Sequence, residues 1–249
     1  MLISSKINNG INGNIKIPGD KSISHRAIII PSISKGTTEI SNLLMSEDII
    51  NTINAFKAMG IDIKKNSNKI IIKGKGLNGL RKPNNKIDLG NSGTSARLLT
   101  GLLASQKFNT ILIGDKSLSK RPMKRITDPL EIMNAKFSSN NGCLPLNMFG
   151  KELNNITYEL PTPSAQVKSG LILASLNIKG TTSIIEKYIT RNHTEIMLQS
   201  FGANLNIKQQ ESKKIIDVVG KTELKSKNIS VPSDLSSSAF FIVAALINK

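Results

Sequence analysis

The sequence has 249 residues, with 34 Lys and Arg against 17 Asp and Glu and a formal charge of +17, which suits one large or two ordinary domains and favours anionic partners. Apolar residues make up 39% of it, enough for a core, but Trp is absent and there are only 7 Phe and 2 Tyr, so packing falls to Ile, Leu, Val and Ala. The longest apolar run, 239–247, is about half of a membrane-spanning helix, the first residues lack a signal or transit pattern, and a single Cys143 excludes internal disulfides and multi-cysteine metal sites, so a soluble cytoplasmic protein is expected.

Along the chain, a polar start followed by an apolar helical run occurs four times: Pro18-Gly19-Asp20-Lys21-Ser22, Leu89-Gly90-Asn91-Ser92-Gly93-Thr94, Pro161-Thr162-Pro163-Ser164-Ala165-Gln166 and Pro232-Ser233-Asp234-Leu235-Ser236. Ser22, Ser92, Ser164 and Ser236 are 70, 72 and 72 residues apart; a period of this size means one α/β unit per repeat. In the first unit, 36–40 and 70–72 read as strands and 48–59 as an amphipathic helix carrying Ile49, Ile50, Ile53, Phe56 and Met59. The second unit offers a strand at 109–113 and a helix at 126–133; the third, strands at 180–185 and 215–219 and a helix at 194–201. The helices end at Met59-Gly60, Met133-Asn134 and Phe201-Gly202, where Gly or Asn takes the left-handed capping conformation. The fourth unit stops after its first helix, so the chain is expected to be the amino-terminal portion of a longer protein. Pro31, inside the first apolar run, predicts a kink or an early helix end.

Polar residues ahead of an apolar helix are N-caps first, and the same helix starts bind anions. Lys21, Ser22 and Arg26 sit within six residues, with Ser22 and Arg26 one helical turn apart; a cation pair and a hydroxyl at a helix start suit phosphate or carboxylate. Only 6 of the 34 cations are arginines. The lysines are read as compositional background, and the absence of interleaved aromatics argues against a nucleic-acid groove. The rare arginines are informative because a planar fork does what an ammonium cannot. Arg121 precedes Pro122 at a helix entrance and Arg191 precedes the 194–201 helix. His25 and His193 have no third metal ligand and are read as structural, and Cys143, without a basic neighbour in sequence, as an inert thiol.

These stretches together resemble the 5-enolpyruvylshikimate-3-phosphate synthase family. The resemblance runs from Pro18-Gly19-Asp20-Lys21-Ser22-Ile23-Ser24-His25-Arg26 through Leu89-Gly90-Asn91-Ser92-Gly93-Thr94-Ser95-Ala96-Arg97, Lys120-Arg121-Pro122-Met123, Ser164-Ala165-Gln166-Val167-Lys168-Ser169 and Arg191-Asn192-His193-Thr194-Glu195 to Pro232-Ser233-Asp234-Leu235-Ser236-Ser237. Ser-Ala-Gln together with Arg-x-His-Thr-Glu is similar to the second bacterial class. The resemblance implies an α/β enolpyruvyl transferase fold (an inside-out α/β barrel), with three βαβαββ repeats forming one complete domain at 18–228. It further implies the first strand of a split domain at 1–17 and a truncated return into that domain at 229–249.

The activity it implies is transfer of the enolpyruvyl group of phosphoenolpyruvate to the 5-hydroxyl of shikimate 3-phosphate, in aromatic amino acid biosynthesis, by a monomer without metal or organic cofactor. By motif, Lys21 contacts both substrates and is the candidate proton-transfer group. Ser22, Arg26, Ser164, Ala165, Gln166 and Arg191 bind shikimate 3-phosphate. Asn91, Gly93, Thr94, Arg121 and Gln166 serve phosphoenolpyruvate. The family's remaining acid-base residues and arginines lie beyond the matching end, so the chain alone is expected to be inactive. The alternatives are an enzyme like UDP-N-acetylglucosamine enolpyruvyl transferase, whose loop cysteine Cys143 does not match in context, and a basic nucleic-acid-binding module supported by charge alone.

Overall fold

The computed structural model describes residues 13–210 and 212–247. The strand expected over 1–17 lies mostly outside the described residues, and 13–18 carry neither helix nor strand. The elements then follow the expected period. First come α1 (Lys21–Ser32), β1 (Lys35–Ser41), α2 (Glu47–Ala58), β2 (Asp62–Asn66) and β3 (Lys69–Lys75). Next are β4 (Ile87–Asp88), α3 (Gly93–Ala104), β5 (Thr110–Ile113), a 3-10 turn at Leu118–Lys120, α4 (Lys124–Ile132), β6 (Lys136–Asn140) and β7 (Cys143–Phe149). After these are β8 (Thr157–Glu159), α5 (Ala165–Ser175), β9 (Thr181–Glu186), α6 (His193–Ser200), β10 (Asn204–Gln210) and β11 (Lys213–Val219), and finally β12 (Ile229–Ser230) and α7 (Leu235–Ile247).

The strands form three open four-stranded sheets, ordered β12-β1-β3-β2, β4-β5-β7-β6 and β8-β9-β11-β10, and no closed barrel forms among the described residues. In each sheet the first pair is parallel and the others antiparallel. The first sheet takes its first strand from the far end of the chain, with Ile40 opposite Ile229 and Ser41 opposite Ser230. Residues 229–230, expected in the returning segment, therefore complete the first sheet. The chain around Gly19 then lies beside that around Ser233, with Asp20 N donating to Pro232 O (2.8 Å) and Asp234 N to Pro18 O (2.9 Å).

The three expected helix ends close in the same way. Gly60, Asn134 and Gly202 all have positive φ, 86°, 78° and 89°, and the residue after each donates back to a carbonyl of the last turn: Ile61 to Phe56, Ala135 to Leu130 and Ala203 to Leu198 (2.9–3.0 Å). Pro31 does less than expected. α1 continues through it and ends one residue later, because a proline in the last turn interrupts little. Nearby serine hydroxyls cover carbonyls there, Ser32 Oγ on Ile28 O and Ser34 Oγ on Ile30 O, each at 2.7 Å.

α1, α3 and α5 are apolar nearly all round and buried, as their sequences require. α3 and α5 run parallel at very close range: a Cβ on Gly101 would stand 2.0 Å from Gly170 O. Gln166 meets Thr94 near their starts and Asn177 meets Ser105 near their ends. Parallel packing brings the positive ends of the helix dipoles together, which costs energy unless negative charge is bound there. α7 is the exception among the apolar helices, because none of its side chains is buried.

Candidate functional site

The helix starts are built from their caps. Ser92 accepts from Ser95 N (3.1 Å) and Ser164 from Val167 N (3.3 Å), as the sequence suggests. In the first and fourth units the caps are Asp20, which accepts from Ile23 N (2.8 Å), and Asp234, which accepts from Ser236 N (2.9 Å). Ser22 and Ser236 thus fall inside the first turns of α1 and α7. Asp wins there because its carboxylate also interacts favourably with the helix dipole.

Arg26 lies at the centre of one cluster. It is 3% exposed, yet its partners are all uncharged: Nε donates to Thr194 Oγ1 (2.6 Å), Nη1 to Ser22 O (2.8 Å) and Nη2 to Ser169 Oγ (2.7 Å). Ser169 Oγ in turn donates to Ala165 O (2.6 Å). Burial, opposed by the carboxylates of Glu195 and Asp20, brings the Arg26 guanidinium down to about 10, so it remains a cation at neutral pH. Three of its five N–H groups are used in these bonds, leaving two donors for an anion. Arg191 is exposed in the segment before α6, and its charge is felt at Arg26, His193 and Asp234. Burial first, then Arg26, hold the half-buried His193 below the ordinary imidazole range. Lys21 is 54% exposed and pairs with Asp48 Oδ2 at 3.2 Å.

A second cluster surrounds the start of α3. Arg121 Nη2 donates to Asn91 Oδ1, and Asn91 Nδ2 donates to Asp115 Oδ2 (2.8 Å). Gln166 Nε2 donates to Thr94 Oγ1 (3.1 Å), while Arg97 Nη1 donates to Gln166 Oε1 (3.2 Å) and Gly93 O (3.1 Å). A Cβ on Gly93 would lie 3.0 Å from Arg97 and 3.1 Å from Arg121, so only hydrogen at this position leaves the space between the two guanidinium groups open. Burial and the charges of Arg121 and Arg125 lower the Arg97 pKa. Cations crowded at a helix start create strong demand for a polyanion.

The structure therefore joins Asn91, Gly93, Thr94, Arg121 and Gln166 in one cluster, and Ser22 and Arg26, through Ser169, with Ala165 in another. Ser164 caps the same helix start, whereas Lys21 makes no direct contact with the second cluster. Sequence reasoning overlooked Asp48, Arg97, Ser169 and Thr194 as site residues. Arg97 carried a usable signal, being one of only six arginines; Asp48 is recognisable only once α2 packs on α1, and Ser169 and Thr194 only once α1, α5 and α6 are packed together. Cys143 opens β7 and makes none of the side-chain contacts of either cluster, although Gly142 before it accepts from Met123 N (2.8 Å), two residues beyond Arg121. A cavity of about 480 Å³ between 82–86 and the β5 and β7 strands holds none of the candidate residues, most of which gather at the starts of α1, α3 and α5. No group of three or more His, Cys, Asp or Glu able to hold a metal occurs among the described residues.

Comparison with known proteins gives a consistent result. A family model described as EPSP synthase (3-phosphoshikimate 1-carboxyvinyltransferase) matches residues 5–249. A curated 3-phosphoshikimate 1-carboxyvinyltransferase from Oceanobacillus iheyensis is 51% identical over 247 residues, 98% of this chain and 56% of that protein. One from Ruthia magnifica is 51% identical over 97% of this chain and 55% of its own length. Among solved structures, an EPSP synthase from Acinetobacter baumannii superposes with a TM-score of 0.86 at 46% identity, covering 93% of this chain and 52% of that one. The chain spans about half the length of the curated relatives it matches.

Proposed function

Since the chain belongs to the EPSP synthase family, we propose that it supplies the substrate-binding face of a 3-phosphoshikimate 1-carboxyvinyltransferase. Shikimate 3-phosphate is held by Ser22, Arg26, Ser164, Ala165 and Arg191, and phosphoenolpyruvate by Asn91, Gly93, Thr94 and Arg121. Gln166 lies between them, and Lys21 touches both. The supporting observation is the buried Arg26, whose partners are all neutral, beside a second guanidinium cluster that Gln166 connects to the same helix.

In this reading the 5-hydroxyl of shikimate 3-phosphate gives its proton to a base supplied by the rest of the enzyme and its oxygen bonds to C2 of phosphoenolpyruvate as a proton is added at C3. Loss of one proton of the resulting C3 methyl group together with the phosphate then restores the enol double bond. The chain's contribution is to hold two polyanions together against their repulsion and to fix their orientation. Asp48 holds the Lys21 ammonium near the face, where it can give or take a proton. The enzyme acts in the cytoplasm as a monomer and uses neither metal nor organic cofactor. Among the described residues no helix is long and apolar enough to cross a membrane.

The chain by itself is expected to bind shikimate 3-phosphate and to release no phosphate from phosphoenolpyruvate. Calorimetric titration with shikimate 3-phosphate, beside a short DNA duplex at two salt concentrations, tests this reading. Saturable heat with shikimate 3-phosphate supports it; binding of DNA alone, weakening steeply with salt, would replace it with the nucleic-acid reading.

A further inference from the structure

His25, Thr52, Ser92 and Ser95 form a polar cluster at the junction of α1, α2 and α3, and none is more than 2% exposed. His25 Nδ1 is 2.9 Å from Thr52 Oγ1 and 3.2 Å from Ser95 Oγ, and Nε2 is 3.4 Å from Ser92 Oγ. The hydroxyls contact one another, Thr52 with Ser95 at 2.7 Å and Ser95 with Ser92 at 2.8 Å. Thr52 Oγ1 also reaches Asp48 O (3.0 Å), in the turn of α2 whose Asp48 carboxylate holds Lys21. Ser92 is the cap of α3.

Either neutral tautomer satisfies this cluster. With the proton on Nδ1, Thr52 accepts it and passes its own to Asp48 O; with the proton on Nε2, Ser92 accepts it. A doubly protonated ring would place a charge among three hydroxyls. The charged groups acting on the ring are Asp48 of α2, which favours a charge, and Arg26 and Lys21 of α1, which oppose it. Burial outweighs them all and keeps the ring neutral down to about pH 4.

We propose that His25 is a positioning residue whose neutral imidazole ties the start of α3, carrying Asn91, Gly93 and Thr94, to the turns of α1 and α2 that carry Lys21 and Asp48, and so sets the distance between the two halves of the site. Its consequence for substrates rests on the function proposed above; the mechanical link does not.

The test uses His25→Asn, His25→Gln and His25→Ala, with backbone amide hydrogen exchange as the readout. An asparagine amide reaches about as far as Nδ1 and keeps the Thr52 and Ser95 contacts, whereas a glutamine amide reaches the Nε2 position and keeps the contact to Ser92, the cap of α3. His25→Ala is expected to speed exchange across 93–97 about tenfold, the loss of roughly one hydrogen bond, and His25→Asn to speed it by a smaller factor through loss of the bond to the capping Ser92. His25→Gln restores near-normal protection there, and exchange in α4 is unchanged in all three. A merely space-filling histidine predicts something different: exchange rises by one common factor in α1, α3 and α5, in step with lost stability and with no advantage for Gln. That result, or unchanged exchange across 93–97, overturns the proposal. If His25→Ala does not fold, the Asn and Gln pair decides.

A second arm measures by calorimetry how phosphoenolpyruvate changes the dissociation constant for shikimate 3-phosphate, with the change expected to shrink in His25→Asn and persist in His25→Gln. Absence of heat from the unsubstituted chain with either ligand would count against the substrate assignment, and the exchange pattern would still decide the role of His25.

Discussion

Replacing Lys168 with methionine removes the cation from a fully buried charge cluster. Lys168 Nζ lies 3.0 Å from Glu186 Oε2 and 2.8 Å from Glu195 Oε1, and all three side chains are 0% exposed. After the change, Glu195 keeps only Lys214, at 3.4 Å, and its Oε2 already has no hydrogen-bond partner. Glu186 keeps only the Thr190 donors, N at 3.3 Å and Oγ1 at 2.5 Å. Breaking a buried pair from one side costs about 3–5 kcal/mol, and two stranded carboxylates place Lys168→Met toward the upper end. That is a large part of the ~5–15 kcal/mol available to a folded domain. Urea denaturation at neutral pH, with the slope m compared between the two proteins, measures it. Adding Glu186→Gln and Glu195→Gln is expected to recover at least half of the loss, because the penalty comes from unpaired charge. A loss below about 1 kcal/mol for Lys168→Met at unchanged m would refute the reasoning.

Three other perturbations follow from the same geometry. The buried His25 has a value of about 4 when folded against 6.5 when unfolded, so between these pH values the unfolded chain holds a proton that the folded chain lacks; stability falls as pH drops through this window, by ~3 kcal/mol in full. That part of the pH dependence disappears in His25→Gln, and identical profiles would contradict the buried neutral ring. Gly101→Ala puts a methyl 2.0 Å from Gly170 O and is expected to cost about 3 kcal/mol by forcing α3 from α5; an unchanged urea midpoint would show that the helices separate freely. Phe240 and Phe241, 80% and 52% exposed on α7, are expected to bind an apolar dye in the 249-residue chain. Changing both to Ser should reduce dye fluorescence without moving the urea midpoint, and a lower midpoint would mean that α7 packs on the core.

The sequence revealed most where local chemistry and periodicity agree. The polar starts, the Gly60, Asn134 and Gly202 helix ends and the isoleucine-rich strands recur because each satisfies backbone groups or buries a face locally. β2, β6 and β10 were not legible: their sequences, DIKKN, KFSSN and NLNIKQQ, are polar and largely exposed, and they are strands because β3, β7 and β11 supply backbone partners. β12 was invisible for a related reason, since two residues pair with a strand 189 positions earlier. At the site, Lys21, Ser22 and Arg26 could be grouped from their spacing and most of the other candidate residues only through the family resemblance, whereas the burial of Arg26 against Thr194 and Ser169, 168 and 143 positions away, depends on how the helices pack. The cap at Asp20 instead of Ser22 is a two-residue shift between two good capping residues, which the sequence alone left undecided.

The most direct measurement is a ¹H–¹⁵N titration of the labelled chain with shikimate 3-phosphate, with shikimate as the control lacking phosphate. Saturable shifts are expected at the amides of Ser22, Ala165 and Gln166 and at the Arg26 and Arg191 guanidinium groups, and none of comparable size with shikimate. Absence of shifts, or shifts confined to the cavity between the 82–86 segment and β5 and β7, would contradict the assignment of this face as the substrate site.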